Sequence, residues 1–240
     1  QNCMCKRDFL GRWGGAFLMV SIVEAIFLLK VGFSQFHKKH IAANERKDYW
    51  ALMGWQNTME KLGFDADVCF FGNSITYYSQ FQKSFSDLKI VNLGYPGDGL
   101  EGMLVRYKTI SFVNAEKIFI MAGINDLNSQ VSIDDLGKKY ESLIDSVIVT
   151  NPESQIYIES ILPVNHNKAS VSLTSNEQIQ KANLMIRRIA EERNLIFIDL
   201  YKLYADDHNE LPSEYTEDGV HLTPSAYKRW EEGIKEYLYK

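Results

Sequence analysis

Five short apolar runs recur along the chain: Val68–Phe71, Lys89–Leu93, Lys117–Ala122, Gln155–Leu162 and Leu195–Leu200. The first four stop at Gly72, Gly94, Gly123 and Pro163. Runs this short, rich in Ile, Val and Phe and bounded by turn residues, read as strands buried on both faces, the pattern of a parallel sheet. Helical patterns separate them over Asp98–Ile110, Asp134–Val149 and Ser175–Arg193, and a last one covers Pro224–Tyr239. Thr223 can cap that final helix, and Pro224 suits its first position, where a missing N–H costs nothing. The alternation predicts a doubly wound α/β fold, a three-layer sandwich around a five-stranded parallel sheet. Ligands bind such sheets beyond the carboxyl ends of the strands, where strand order reverses. The loops after the apolar runs are thus the places to look for chemistry.

The first 34 residues read differently. Lys6, Arg7 and Arg12 precede an apolar run, Ala16–Leu29, that Glu24 interrupts and Lys30 closes. A basic start and an apolar middle fit a secretory signal or signal-anchor, so the chain is expected to be exported (periplasmic or extracytoplasmic), with membrane association through residues 14–33. Residues 35–66 read as a polar linker and a helix over Asn44–Leu62 stopped by Gly63, and residues 67–240 as one domain. His37 and His40, among lysines, read as a solvated face. The formal net charge of −5 gives no electrostatic basis for nucleic-acid binding. The three cysteines form no C-x-x-C or Cys/His cluster, which argues against structural zinc, and Cys69 within the first run reads as a small buried hydrophobe.

Four loop segments hold unusual residues. Phe71-Gly72-Asn73-Ser74-Ile75-Thr76 follows the first run and exposes a serine at a strand end, although a turn or N-cap serine also explains it. Asn92 to Asp98 (NLGYPGD) follows the second; its glycines let a backbone N–H approach a ligand closely, while Asp98 and Glu101 also look like a capping arrangement for the next helix. Gly123-Ile124-Asn125-Asp126 follows the third. An Asn there can donate its amide into a cleft, and Asp126 reads as a loop or capping residue. Asp218-Gly219-Val220-His221 precedes the last helix. A carboxylate three residues before an imidazole can hold Nδ1–H and leave Nε2 to accept a proton from a hydroxyl; a surface loop or half a metal site fits the same pair. His166, in the polar loop after the fourth run, reads as solvated, and Asp199 as structural.

In order and placement, FFGNSIT, NLGYPGD, AGIND and DGVHL resemble the SGNH hydrolase family, also called GDSL-like lipases and acylhydrolases. The resemblance runs from about Asp67 to the C-terminus. One departure is Asn73, where the family usually has Asp; that residue is not the proton acceptor of the triad, so activity is expected to survive the change. The resemblance implies a flavodoxin-like SGNH hydrolase fold, Ser74 as nucleophile, His221 as general base and then acid, and Asp218 as the residue that orients His221. It implies an oxyanion hole of the Ser74 N–H, the Gly97 N–H and the Asn125 side chain. Gly97 is preferred to Gly94 because the family's donor glycine directly precedes the aspartate of that block. No metal or organic cofactor is implied. Tyr77 and Tyr95, with Tyr78, are candidates to line the substrate site. The expected activity is a serine esterase acting through an acyl-enzyme on small acyl esters, acetyl first, of carbohydrate. The alternatives are acyl transfer to a sugar hydroxyl from the same site, and a non-catalytic carbohydrate-binding module on the same fold.

Overall fold

The structure, a computed structural model, describes residues 65–170 and 173–240. The segment of residues 1–34, with the membrane association expected through residues 14–33, and the helix expected over Asn44–Leu62 lie outside them. Among the described residues no helix is long and apolar enough to cross a membrane.

The chain runs β1 (Val68–Gly72), α1 (Ser74–Tyr77), α2 (Phe81–Ser84), β2 (Ile90–Gly94), α3 (Leu100–Arg106), β3 (Lys117–Met121), α4 (Ile124–Asn128), α5 (Ile133–Thr150), β4 (Gln155–Glu159), α6 (Asn176–Glu192), β5 (Ile196–Ile198), α7 (Leu200–Tyr204) and α8 (Pro224–Leu238). All five expected strands form, and they pair in parallel in the order β2-β1-β3-β4-β5. Thr223 caps the last helix as expected, and Ser132 and Ser175 cap the other two long helices in the same way, each side chain accepting from the backbone N–H three residues on.

Where boundaries differ, a side chain has taken over from the ladder. β4 ends at Glu159, short of Leu162, because the Ile161 and Val164 N–H groups turn to the Asn183 and Asn176 carbonyl oxygens of α6 at 2.8 and 2.9 Å. β5 stops after three residues because Asp199 caps α7, accepting from the Lys202 N–H. The helix expected from Asp98 ends at Arg106 and continues as two 3₁₀ turns, closed by Asn114 in a left-handed conformation.

Alternation along the strands sorts the core into two layers. Phe70, Phe119 and Tyr157 lie side by side in register, with ring centroids 4.9 and 4.4 Å apart. Phe81 of α2 covers Phe70, and Trp230 of α8 meets Phe81 edge-on at 5.1 Å. The crossover helices α3 and α6 both pack against α5.

The register also builds the place for a site. Strand order reverses at β1, and Gly72 is level with Gly94 on one side and Met121 on the other. The loops leaving β1, β2 and β3 therefore emerge together at the position where a doubly wound sheet binds ligands.

Candidate active site

Ser74 begins α1, immediately after β1. Asn73 sets the helix start: its Oδ1 accepts from the Ile75 N–H at 2.9 Å, the bond of an N-cap. The acceptor that an aspartate would bring is thus present in the asparagine, while its buried Nδ2 has no hydrogen-bond partner. As the first helical residue, Ser74 also has no intrahelical acceptor for its own N–H.

The second loop comes close because Gly94 has no side chain. A Cβ there would lie 2.3 Å from the Tyr77 backbone nitrogen, so any larger residue would push α1 away. Tyr95 to Asp98 then form a tight turn, with the Asp98 N–H donating to the Tyr95 carbonyl at 3.2 Å. Pro96 holds the first central position and Gly97 the second, with φ +79°, as in a type II turn. Gly97 is solvent-exposed. The helix start differs from the reading in which Asp98 opens α3, since α3 begins at Leu100. The cap residue is Gly99, and Oδ2 of the Asp98 carboxylate accepts from the Arg106 guanidinium at 2.6 Å. Asp126 caps that helix from the neighbouring loop, accepting from the Leu100 N–H.

Asn125, in the first turn of α4, donates from Nδ2 to the Asp98 carbonyl at 2.8 Å. An amide nitrogen carries a second hydrogen, which this bond leaves unused.

The fourth segment closes on the first. His221 Nε2 lies 2.8 Å from Ser74 Oγ, and His221 Nδ1 lies 2.6 Å from Asp218 Oδ2. Asp218 Oδ1 accepts from the Val220 and His221 N–H groups at 3.0 and 2.8 Å, so the loop is organised around the carboxylate before the ring is placed. Partial burial alone would raise the Asp218 pKa. The bonds from the His221 ring and from the two backbone N–H groups outweigh it and hold the carboxyl down at about 2. The loop is braced from outside as well: the Asn165 N–H donates to the Gly219 carbonyl at 2.8 Å.

The structure thus brings together Ser74, Asp218 and His221, and sets Gly97 and Asn125 on the two adjoining loops. Of the tyrosines, Tyr78 is the one against the histidine, its ring edge-on to His221 at 5.6 Å, with Tyr77 behind it at 5.2 Å. The Tyr95 ring is partly buried, with the Arg106 guanidinium 5.9 Å from its centroid. Burial and the Asp98 carboxylate raise the Tyr95 phenol against the opposing pull of Arg106. His166 is not simply solvated: its Nδ1 meets Glu210 at 2.8 Å and its Nε2 the Thr174 carbonyl at 3.1 Å. Asp199 is structural, capping α7 and pairing with Arg187 at 2.6 Å. Cys69 is fully buried, and burial pushes its thiol up to about 12, which leaves it without nucleophilic character at neutral pH. Two residues were not singled out by sequence. Tyr227 of α8 donates to the Ile75 carbonyl at 2.6 Å and ties the last helix to α1. Arg106 is the other.

The comparisons with known proteins agree with this architecture. The family model described as the GDSL-like Lipase/Acylhydrolase family matches residues 68–229. A solved structure from Streptococcus pneumonia, provisionally assigned as a platelet activating factor, is 26% identical, covers 91% of this chain and 100% of its own, and superposes with a TM-score of 0.73. A GDSL-like lipase from Bacteroides thetaiotaomicron is 21% identical over 81% of this chain and 98% of its own, with a TM-score of 0.66. An acetyl xylan esterase, AlAXEase, shares the fold at 20% identity over 71% of this chain and 98% of its own, with a TM-score of 0.61. No curated protein matches the chain.

Proposed function

The chain belongs to the GDSL-like lipase/acylhydrolase family and is an ester hydrolase, and from that premise we propose that it removes small acyl groups, acetyl first, from carbohydrate esters through a Ser74–His221–Asp218 triad. The observation that carries this reading is the continuous line from Ser74 Oγ to His221 Nε2 at 2.8 Å and from His221 Nδ1 to Asp218 Oδ2 at 2.6 Å.

A serine hydroxyl is a poor nucleophile until a base takes its proton. His221 Nε2 accepts that proton as Ser74 Oγ adds to the ester carbonyl, and Asp218 fixes the Nδ1–H tautomer and stabilises the imidazolium. The negative oxygen of the tetrahedral intermediate is held by the Ser74 N–H, the Gly97 N–H and the second N–H of Asn125. Collapse expels the alcohol, protonated by His221, and leaves an acyl-serine. A water deprotonated by His221 then attacks it, His221 returns that proton to the serine oxygen as the acyl–oxygen bond breaks, and the product leaves as the carboxylic acid, which loses its remaining proton to solvent.

Support for a short acyl group on a sugar comes from the acetyl xylan esterase that shares the fold. The half-exposed Tyr78 beside His221 adds a flat apolar surface at the mouth of the site, of the kind a sugar ring stacks on. The basic and apolar character of residues 1–34 supports activity outside the cytoplasm, which fractionation of cells expressing the full chain tests.

The deciding experiment is turnover of 4-nitrophenyl acetate, butyrate and octanoate by the full chain and by Ser74→Ala, followed by acetate release from acetylated xylo-oligosaccharides. Turnover that favours acetate and disappears in Ser74→Ala is expected. Turnover that survives Ser74→Ala would remove the nucleophile from the proposal, and a preference for octanoate would remove the short-acyl assignment.

A further inference from the structure

Arg106 is a charged residue on a helix face that should be apolar. Leu100 and Met103 precede it at spacings of three on the buried stripe of α3, and Arg106 itself is only 8% exposed. Its three nitrogens make three separate bonds. Nε donates to Asp98 Oδ2 at 2.6 Å, one terminal nitrogen to the Leu93 carbonyl at 2.7 Å, and the other to the Gly72 carbonyl at 2.8 Å. The guanidinium lies 4.3 Å from the centroid of the Phe71 ring. A buried guanidinium is costly unless each face of its fork is answered, and here all three directions are.

The partners form a pattern. The Gly72 carbonyl is two residues before Ser74. Asp98 directly follows Gly97, and its own carbonyl receives the Asn125 amide at 2.8 Å. The Gly72 carbonyl also accepts the Tyr95 N–H at 2.9 Å, joining the first two loops beneath the guanidinium. One side chain thus reaches, at one remove, all three groups assigned above as oxyanion donors: the Ser74 N–H, the Gly97 N–H and the Asn125 side chain.

We propose that Arg106 is a positioning residue that presets the spacing of the oxyanion donors, holding the loops after β1 and β2 and, through Asp98, the Asn125 amide. The proposal rests on the triad and oxyanion reading above. It has a physical reason to matter. Preorganised donors work because they do not reorganise as charge develops, and a displacement of about 1 Å costs about 10²-fold in rate. Lysine cannot replace the fork, since it offers a point charge where three fixed directions are needed.

The test uses the full chain with 4-nitrophenyl acetate. Arg106→Lys keeps the charge and most of the volume, and is expected to lower kcat by about 10- to 100-fold while KM stays within about twofold. The pH midpoint of kcat/KM should not move, because the His221–Asp218 pair is untouched. Asn125→Ala alone should lower kcat by about 10²–10³. Added to that background, Arg106→Lys should cost clearly less than in the wild type, since part of its effect runs through the amide already removed. Should Arg106→Lys not fold, Asp98→Asn loosens the same anchor with little change in shape, and the same loss in kcat at constant KM is expected. A folded Arg106→Lys with wild-type kcat overturns the proposal. So does a moved pH midpoint, which would place the effect on His221, and so does full multiplicativity with Asn125→Ala. Turnover that survives Ser74→Ala is a separate result; it overturns the triad reading and this inference with it.

Discussion

Glu159 closes β4 with its carboxyl in the core, 1% exposed, where the Trp230 indole N–H donates to Oε1 at 2.7 Å. Burial raises its pKa to about 8 against the smaller opposing effect of that hydrogen bond. The folded protein therefore keeps this carboxyl neutral at pH 7, while the unfolded chain, with a value near 4.5, ionises it. Folding takes up a proton between these two values, so stability falls as pH rises through the window, at about 1.4 kcal/mol per pH unit, and levels off above it. The accumulated cost is ~3 kcal/mol at pH 7 and approaches ~5 kcal/mol above pH 8. Glu159→Gln keeps an oxygen for Trp230 and a donor where the acid proton sits, but has nothing to ionise. It should match the wild type within about 1 kcal/mol at pH 5 and exceed it by ~3 kcal/mol at pH 7. Urea unfolding followed by far-UV circular dichroism measures both proteins across this range, and the gap at pH 7 moves the midpoint by about 1 M or more. Other groups titrate in both proteins, so the difference between them isolates this carboxyl. If the two stability curves stay parallel from pH 5 to pH 8, Glu159 is not held neutral by burial and the reasoning fails.

The remaining predictions concern the site. Asp218 is held down at about 2 and so stays charged at neutral pH. Asp218→Asn should then cost about 10⁴-fold in kcat with circular dichroism unchanged, and a loss of under tenfold would remove Asp218 from the triad. Gly97→Ala places a Cβ at φ +79° and should cost about 1–3 kcal/mol in stability together with a fall in kcat; a thermal melt and an activity assay check both. Gly94→Ala drives a Cβ to 2.3 Å from the Tyr77 nitrogen, and the displaced α1 should lower kcat even in protein that remains folded at the assay temperature. Asn73→Ala removes the acceptor for the Ile75 N–H and should cost about 0.5–2 kcal/mol by urea unfolding, whereas an unchanged midpoint would mean that α1 does not depend on its cap.

The strands were legible because burial on both faces turns a parallel strand into an uninterrupted apolar run, and the order of the four loop segments followed from that. The short helices were not. α1, α2 and α4 span four or five residues, hardly more than one turn, and cannot display a helical period. Long-range partners were hidden for a different reason. Asp98 and Glu101 carry the spacing of a capping pair, and nothing in that spacing announces the guanidinium eight residues on, turned inward by the packing of α3, that takes Asp98 Oδ2. His166 looked solvated because its partner Glu210 is 44 residues away and meets it only once the loops are folded. Of the tyrosines the sequence offered, which one meets the His221 ring depends on the direction of side chains at the end of a four-residue helix, which composition cannot register. Arg106 did leave a trace: a cation in phase with the buried stripe of Leu100 and Met103 breaks the amphipathic pattern. Because burying such a cation is expensive, its place in the stripe requires compensating acceptors, and the acceptors it finds are the backbone and carboxylate groups of the loops around Ser74 and Gly97.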